Sequence, residues 1–117
     1  MIIVLFEVTI KEGYQEEYLK MAGHLKEELT KNEGFISSER FCSLTTSNKL
    51  LSKSVWKDEE SITSWRNVMQ HRLYQKEGRD NMFEDYQITV VTPVRTYTMN
   101  SREEAPQDSN QYMEIKE

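Results

Sequence analysis

The chain has 117 residues, a mass of 13.9 kDa and a formal net charge of −5, with 37% hydrophobic and 30% charged residues. Such a length suits one domain with a single core. No run approaches the roughly 18 consecutive apolar residues of a membrane span, and the acidic balance argues against a phosphate-backbone partner, which needs concentrated Lys and Arg. We therefore expect neither a membrane nor a nucleic acid as a partner.

The first residues indicate a strand and a location. Ile2 to Ile10 is rich in β-branched and aromatic residues, and apolar and polar side chains alternate from Phe6 onward. No basic segment precedes this apolar run, as it would in a signal peptide. Cys42 is the single cysteine, so it cannot form an internal disulfide. Together these features favour a cytoplasmic protein.

Two segments have the spacing of amphipathic helices. Between Gly13 and Thr30, apolar residues recur every three or four positions. A second helix is predicted from Asp58, its N-cap, to about Glu77. The two apolar stripes consist of Tyr14, Tyr18, Met21, Ala22, Leu25 and Leu29 in the first helix, and of Ile62, Trp65, Met69 and Leu73 in the second.

A hairpin is predicted between the two helices. The segments Phe35 to Leu44 and Lys49 to Trp56 have strand composition and flank a polar turn of hairpin length. Phe41 and Leu51 fit facing positions on the two strands.

The last predicted strand is long and interrupted. After a polar connection over Arg79 to Asp85, which contains Met82 and Phe83, the segment Tyr86 to Met99 alternates again. Pro93 removes a ladder donor and marks an edge, a bulge or a bend. A strand bent there could pair with a neighbour on each side of the bend, including one from another subunit.

The order β-α-β-β-α-β predicts an α+β, ferredoxin-like fold, in which two helices cover one face of a four-stranded antiparallel sheet. The other face has no cover in a single copy, and a bare apolar sheet face is unusual on a monomer. We therefore expect a homodimer with the sheets face to face, a dimeric α+β barrel. Residues 1–99 form this domain, and residues 100–117 are predicted to be a polar, flexible tail.

The sequence resembles the antibiotic biosynthesis monooxygenase family. The resemblance covers about residues 1–99 and rests above all on a strand that ends in Trp56-Lys57, followed by Asp58-Glu59-Glu60 and a helix containing Trp65. It implies a dimeric ferredoxin-like protein, in a family that includes cofactor-independent oxygenases of aromatic polyketides, quinol oxygenases and heme-degrading enzymes. The other matching positions are His71, Arg72, Gln75, Gly78, Arg79, Phe83, Asp85, Tyr86 and Val94 to Tyr97.

The two tryptophans acquire candidate roles from this resemblance. Trp65 lies where the heme-degrading branch has its functional tryptophan, but the asparagine and histidine that accompany it there correspond to Glu7 and Gln75 here. The resemblance therefore disfavours heme degradation. Trp56 matches a tryptophan that helps to line the substrate pocket of the polyketide oxygenases. Each tryptophan has a second interpretation, as an aromatic residue of the core.

Two side chains are candidates for proton transfer. Glu7 interrupts the apolar pattern of the first strand. In one interpretation it enters the cleft between sheet and helices and acts as a base towards a phenol. In the other it faces solvent or pairs with a basic side chain. His71 is the other candidate, because histidine is the side chain whose unperturbed pKa lies closest to neutral pH, and a solvated surface position is its alternative.

The remaining candidates would bind a substrate. Tyr18, Met69 and Phe83, together with Trp65, would make an aromatic, Met-rich cleft that suits a flat hydrophobic ligand and equally resembles a small core. Arg66 either pairs with carboxylates or orients an anionic substrate oxygen. Neither histidine lies in a metal-binding motif, so we expect no metal site.

The leading hypothesis is a cofactor-independent monooxygenase that needs neither a metal nor an organic cofactor. Its substrate would be a flat aromatic, polyketide or quinol-type molecule. The alternative is a non-catalytic dimeric small-ligand-binding or stress-related protein of the same fold.

Overall fold

Four strands form one antiparallel sheet. The computed structural model describes residues 1–73 and 82–115, with side chains described within 1–69 and 82–112. The strand order β2-β3-β1-β4 confirms the predicted ferredoxin-like α+β fold. In chain order the elements are β1 (Ile2–Ile10), α1 (Gln15–Leu29), β2 (Phe35–Cys42), β3 (Lys49–Trp56), α2 (Glu59–Leu73), β4 (Phe83–Val91) and α3 (Gln107–Ile115).

Alternation along the central strand β1 decides which face of the sheet the helices cover. The even-numbered side chains from Val4 to Ile10 are buried, whereas their odd-numbered neighbours from Ile3 to Thr9 are only half-buried. The apolar stripes predicted for α1 and α2 pack on the even-numbered face. The helical residues buried there are Tyr18, Ala22, Leu25 and Leu29 from α1, and Ile62, Trp65 and Met69 from α2.

The opposite face of the sheet is mixed rather than uniformly apolar. The face has an ion pair, in which Lys49 Nζ lies 3.5 Å from Glu7 Oε1. Around this pair, several apolar side chains are half-buried in the single chain. They are Ile3, Leu5, Leu51, Val55 and Val91.

Strand β4 differs from the prediction at both ends. It runs over Phe83–Val91, so Phe83 begins the strand instead of lying in a polar connection. The predicted continuation to Met99 is wrong, because β1 pairs with β4 only as far as Ile3 opposite Val91. A strand continuing beyond Val91 would find no partner within the described chain, and Val94 is 87% exposed there.

The C-terminal segment contains a helix that its composition did not predict. Arg102 links the loop before α3 to the helix itself, since its Nε donates to Asn110 Oδ1 at 3.0 Å and its Nη2 donates to Ser109 Oγ at 2.7 Å. The same guanidinium lies 4.9 Å from the ring centroid of Tyr97. The flexibility expected for residues 100–117 remains a prediction, although Gln107–Ile115 within this segment is helical.

The N-terminus of α2 is capped as predicted. Ser61 donates to Asp58 Oδ1 twice, from its backbone N–H at 2.9 Å and from its hydroxyl at 2.8 Å. These two hydrogen bonds, the backbone one first, lower the pKa of Asp58. The turn before β2 docks on the same place, because Asn32 Nδ2 donates to the Ser61 carbonyl at 3.4 Å and Gly34 accepts from the backbone N–H of Lys57 at 2.8 Å.

Replacing Gly34 by alanine is expected to destabilise the fold by about 1–3 kcal/mol. A Cβ atom at this position would overlap the side chain of Ser61, so α2 would have to move away from the turn. Urea unfolding followed by circular dichroism measures the change. Gly23→Ala is the matched control, since a Cβ there meets nothing within 4 Å and should stabilise α1 by about 0.5–1 kcal/mol.

The overlap with Ser61 can be tested separately from other effects of the methyl group. In a Gly34→Ala background, Ser61→Gly removes the overlapping side chain and should recover part of the lost stability. A Gly34→Ala variant as stable as the wild type would show that no close approach exists there.

Candidate active site

A cavity of about 90 Å³ lies between the helices and the sheet. Its apolar wall comes mostly from α1 and α2, and its polar lining comes mostly from β2 and β3. Because the exposed residues Lys26 of α1 and Arg40 of β2 also line it, the cavity opens to solvent between α1 and the edge strand. The apolar lining residues include Phe6, Met21, Ala22, Leu25, Trp65 and Met69.

The pairing of β2 with β3 creates the polar floor. Phe41 pairs with Leu51, as predicted, so Arg40 lies opposite Ser52 and Ser38 lies opposite Ser54. Side chains alternate along strands, and these pairs therefore share the face that the helices cover. Serine is small, so three serines beneath the helices leave space that larger apolar residues would fill.

Tyr18 provides a hydroxyl inside this cavity. The residue is 3% exposed, and its ring contacts Phe83 edge-on with the ring centroids 5.9 Å apart. Burial raises the pKa of Tyr18, while the charge of Arg40 and a hydrogen bond from its guanidinium act in the opposite direction. Because the pKa is raised overall, Tyr18 stays protonated at neutral pH and serves as a hydrogen-bond donor.

Trp56 lies behind the cavity floor and is not part of its lining. The side chain is 0% exposed, and its ring packs edge-on against Phe35 with the centroids 5.3 Å apart. Its Nε1 donates to Ser54 Oγ at 2.8 Å. Trp56 therefore holds the hydroxyl of a residue that does line the cavity.

Only some of the site residues predicted from the sequence line the cavity. Tyr18, Trp65 and Met69 line the cavity together. Phe83 is buried beside Tyr18 without lining it, and Arg66 is exposed on α2.

The structure describes the side chain of only one of the two predicted bases. Glu7 lies on the sheet face opposite the cavity and pairs there with Lys49, which matches the alternative of a basic partner. His71 belongs to α2, but its side chain lies outside the described residues, as does Gln75 entirely.

The polar lining residues were not predicted from the sequence, and they are Lys26, Ser38, Glu39, Arg40, Ser52 and Ser54. The signal that could have found Arg40 and the three serines is period-two alternation, because Ser38 and Arg40 share one face of β2 and Ser52 and Ser54 share one face of β3. Within the described part of the chain, no group of three or more His, Cys, Asp or Glu side chains is arranged to hold a metal ion. No helix among residues 1–73 and 82–115 has the length and apolar character needed to cross a bilayer.

A ferredoxin-like sheet with two covering helices and a polar-floored cavity between them defines a small α+β protein with an internal cavity. The sequence profile of the family described as antibiotic biosynthesis monooxygenase matches residues 1–77. The chain belongs to this family.

Individual relatives agree with this assignment. The chain is 38% identical over 90 residues to a curated protein named jasmonate monooxygenase ABM from Pyricularia oryzae. That alignment covers 77% of this chain and 42% of the relative, so the chain spans less than half the length of the protein it matches.

Solved structures share the fold at low sequence identity. SnoaB from Streptomyces nogalater, described as a cofactor-independent oxygenase and crystallised as a mutant, superposes with a TM-score of 0.66 at 13% identity, over 81% of this chain and 94% of SnoaB. Rv0793 from Mycobacterium tuberculosis superposes with a TM-score of 0.70 at 10% identity, over 83% and 98% of the two chains.

Proposed function

We propose that this protein is a cofactor-independent monooxygenase acting on a small hydrophobic molecule with a single ring. The observation that carries the proposal is a pair of buried hydroxyls, those of Ser54 and Tyr18, beside the apolar wall that the two helices contribute to the cavity. Ser54 is 5% exposed and Tyr18 is 3% exposed, and both line the cavity near Trp65. Few hydrogen-bond donors within apolar walls are typical of a site that binds a hydrophobic molecule in one orientation.

The proposed chemistry needs only substrate and oxygen. Removal of a proton from an activated carbon leaves a carbanion, whose charge is delocalised onto a neighbouring oxygen. The carbanion reacts with O₂, and loss of water converts the CH₂ group to C=O, so that CH₂ + O₂ gives C=O + H₂O. A hydroquinone enters the same scheme through its keto tautomer, in which one ring C–H has become CH₂. The substrate supplies all the electrons, and no external reductant enters the balance.

The cavity residues have different roles in this reaction. Donors such as the Tyr18 hydroxyl stabilise the oxygen on which negative charge develops, because they are already oriented and shielded from water. Trp65 and Met69 exclude water and orient the ring. Glu7 has no part in this scheme because of its position on the opposite face, and His71 remains the predicted base.

Cavity size selects among the predicted substrate classes. A volume of about 90 Å³ is smaller than the ~150 Å³ engineered cavity that binds benzene. A fused polyketide would require α1 and α2 to separate widely, whereas a single ring that extends through the mouth requires a smaller movement. The cavity therefore favours quinol-type rings over polyketides. It also agrees with the name of the Pyricularia oryzae relative, since jasmonate is a small acid with one ring.

Oxygen consumption tests this proposal directly. We expect uptake above the buffer rate with at least one of a substituted hydroquinone, jasmonate and anthrone, and anthrone should be the slowest. Activity should survive exhaustive treatment with EDTA. Tyr18→Phe should lower the rate about 10-fold or more, because one oriented donor is lost, whereas Lys31→Gln at the end of α1 should not. Binding of these compounds without any oxygen uptake would instead support the non-catalytic ligand-binding alternative.

We also propose that the protein is a homodimer that buries the outer face of the sheet. Leu5 lies at the centre of this face on β1, with Lys53 and Thr89 as its cross-strand neighbours. A half-buried apolar patch around an ion pair suits an isologous contact between two sheets. Sedimentation at micromolar concentration should give twice the chain mass of 13.9 kDa.

Leu5→Lys is expected to weaken dimerisation about 10-fold or more, since it places like charges together in the interface. The folded monomer should persist, because residue 5 faces away from the core. Leu19→Lys is the control, as Leu19 is 45% exposed on α1. A wild-type protein that sediments at the single-chain mass would contradict the proposed dimer.

A further inference from the structure

Three charged residues line the cavity, and two of them, Lys26 and Arg40, are basic while the third, Glu39, is acidic. The lining therefore has a net positive charge in a protein whose net charge is −5. Arg40 lies on β2, which is an edge strand of the sheet, and its side chain is on the face that the helices cover. Lys26 on α1 lines the same cavity from the other side of the opening. Both residues are exposed, so both meet water and an incoming ligand before the buried lining does.

Arg40 is also connected to the interior of the cavity. Its guanidinium donates a hydrogen bond to the Tyr18 hydroxyl oxygen. A phenol that accepts a hydrogen bond keeps its own O–H available as a donor, and a guanidinium has five N–H groups, of which this bond uses only part. The mouth therefore retains guanidinium donors, while the buried end retains the Tyr18 hydroxyl.

We infer that Arg40 is the specificity residue for an acidic substrate and holds a carboxylate at the cavity mouth while the ring enters between the helices and the sheet. This inference rests on the proposed function and names its substrate class, a hydrophobic single-ring carboxylic acid. A planar guanidinium matches the two oxygens of a carboxylate, and Lys26 adds a second positive charge. The reacting carbon belongs at the other end, beside Trp65, where water is excluded.

The exposure of Arg40 distinguishes this role from a direct part in the chemistry. A group that stabilises a developing charge works best when it is shielded from water, as Tyr18 is. A group that recognises a carboxylate, which is charged before and after the reaction, can remain partly solvated at the opening. Arg40 thus contributes to substrate affinity and Tyr18 to the reaction step.

Binding measurements without oxygen test the inference apart from turnover. Quenching of tryptophan fluorescence under anaerobic conditions would be titrated with jasmonic acid and methyl jasmonate, and with benzoate and methyl benzoate. For at least one pair, we expect the wild type to bind the acid about 10-fold or more tightly than its ester, because hydrogen bonds to charged groups are the stronger ones. Arg40→Gln should remove this preference, because it should lower the affinity for the acid about 10–100-fold and change the affinity for the ester less than about 3-fold. Arg40→Lys should retain part of it.

The controls separate recognition from folding. Lys31→Gln removes an exposed charge outside the cavity lining and should leave both affinities unchanged. Equal affinities of acid and ester in the wild type would overturn the inference, as would an equal loss of both in Arg40→Gln. Absence of saturable binding by every acid up to about 1 mM would overturn it too. An acid preference with no oxygen uptake would uphold this inference while the proposed monooxygenase activity fails.

Discussion

Replacing Trp56 by alanine is expected to lower the free energy of unfolding by about 3–5 kcal/mol. The side chain is 0% exposed, and it packs edge-on against Phe35, its partner across the β2–β3 pair. Truncation therefore leaves a large cavity beneath the helices. It also leaves the Ser54 hydroxyl, itself buried, without the donor that now lies 2.8 Å away. Urea unfolding at fixed protein concentration measures the loss, since dimerisation would make stability depend on concentration.

Two more conservative variants separate the contributions of packing and of hydrogen bonding to this loss of unfolding free energy. Trp56→Phe retains most of the buried ring and removes only the donor, for an expected cost of about 1–2 kcal/mol. Ser54→Ala removes the acceptor and leaves Nε1 buried without it. In a double-mutant cycle, the two changes should couple by about 1 kcal/mol. A Trp56→Ala protein within about 1 kcal/mol of the wild type would show that this tryptophan does not hold the core together.

Periodicity predicted the elements well where each buries one face. β1 alternates because its even-numbered residues lie beneath the helices, and α1 has a stripe from Tyr18 to Leu29 for the same reason. The two tryptophans could be placed on their elements but not assigned to pocket or core. The assignment depends on where small residues leave space between the sheet and the helices. The cavity lies above Ser52 and Ser54, and Trp65 lines it whereas Trp56 does not.

Other features depend on contacts that no local pattern reveals. Alternation places Arg40 and Ser38 on one face of β2, but it does not show that the helices cover this face, which follows from the pairing of Arg40 with Ser52 and of Ser52 with Phe6. Residues after Val91 keep a strand-like composition, but β1 ends there, so they have no strand partner among the described residues. Helix α3 is short and mostly polar in sequence, and Arg102 connects it to the preceding loop through a hydrogen bond to Asn110.

Trp65→Phe is expected to lower the rate of oxygen consumption about 10–100-fold with the best substrate found for the wild type. Trp65 is 5% exposed and lines the cavity opposite the serine floor, so a smaller ring leaves the substrate free to tilt. Misplacement of a reacting atom by about 1 Å can cost about 100-fold in rate. Initial rates in an oxygen electrode, together with anaerobic dissociation constants, would show whether the loss lies in turnover or in binding.

A matched variant on the same helix controls for general loosening of the core. Ile62 is buried in α2 but does not line the cavity, and Ile62→Val should cost about 0.5–1.5 kcal/mol of stability with little effect on the rate. The selectivity of Trp65→Leu gives a second readout that stability alone would not change. Because this substitution enlarges the cavity, the rate with anthrone should rise relative to the rate with a single-ring substrate. If Trp65→Phe consumes oxygen at the wild-type rate and Trp65→Leu keeps the wild-type preference, Trp65 belongs to the core alone and the reaction must take place elsewhere in the protein.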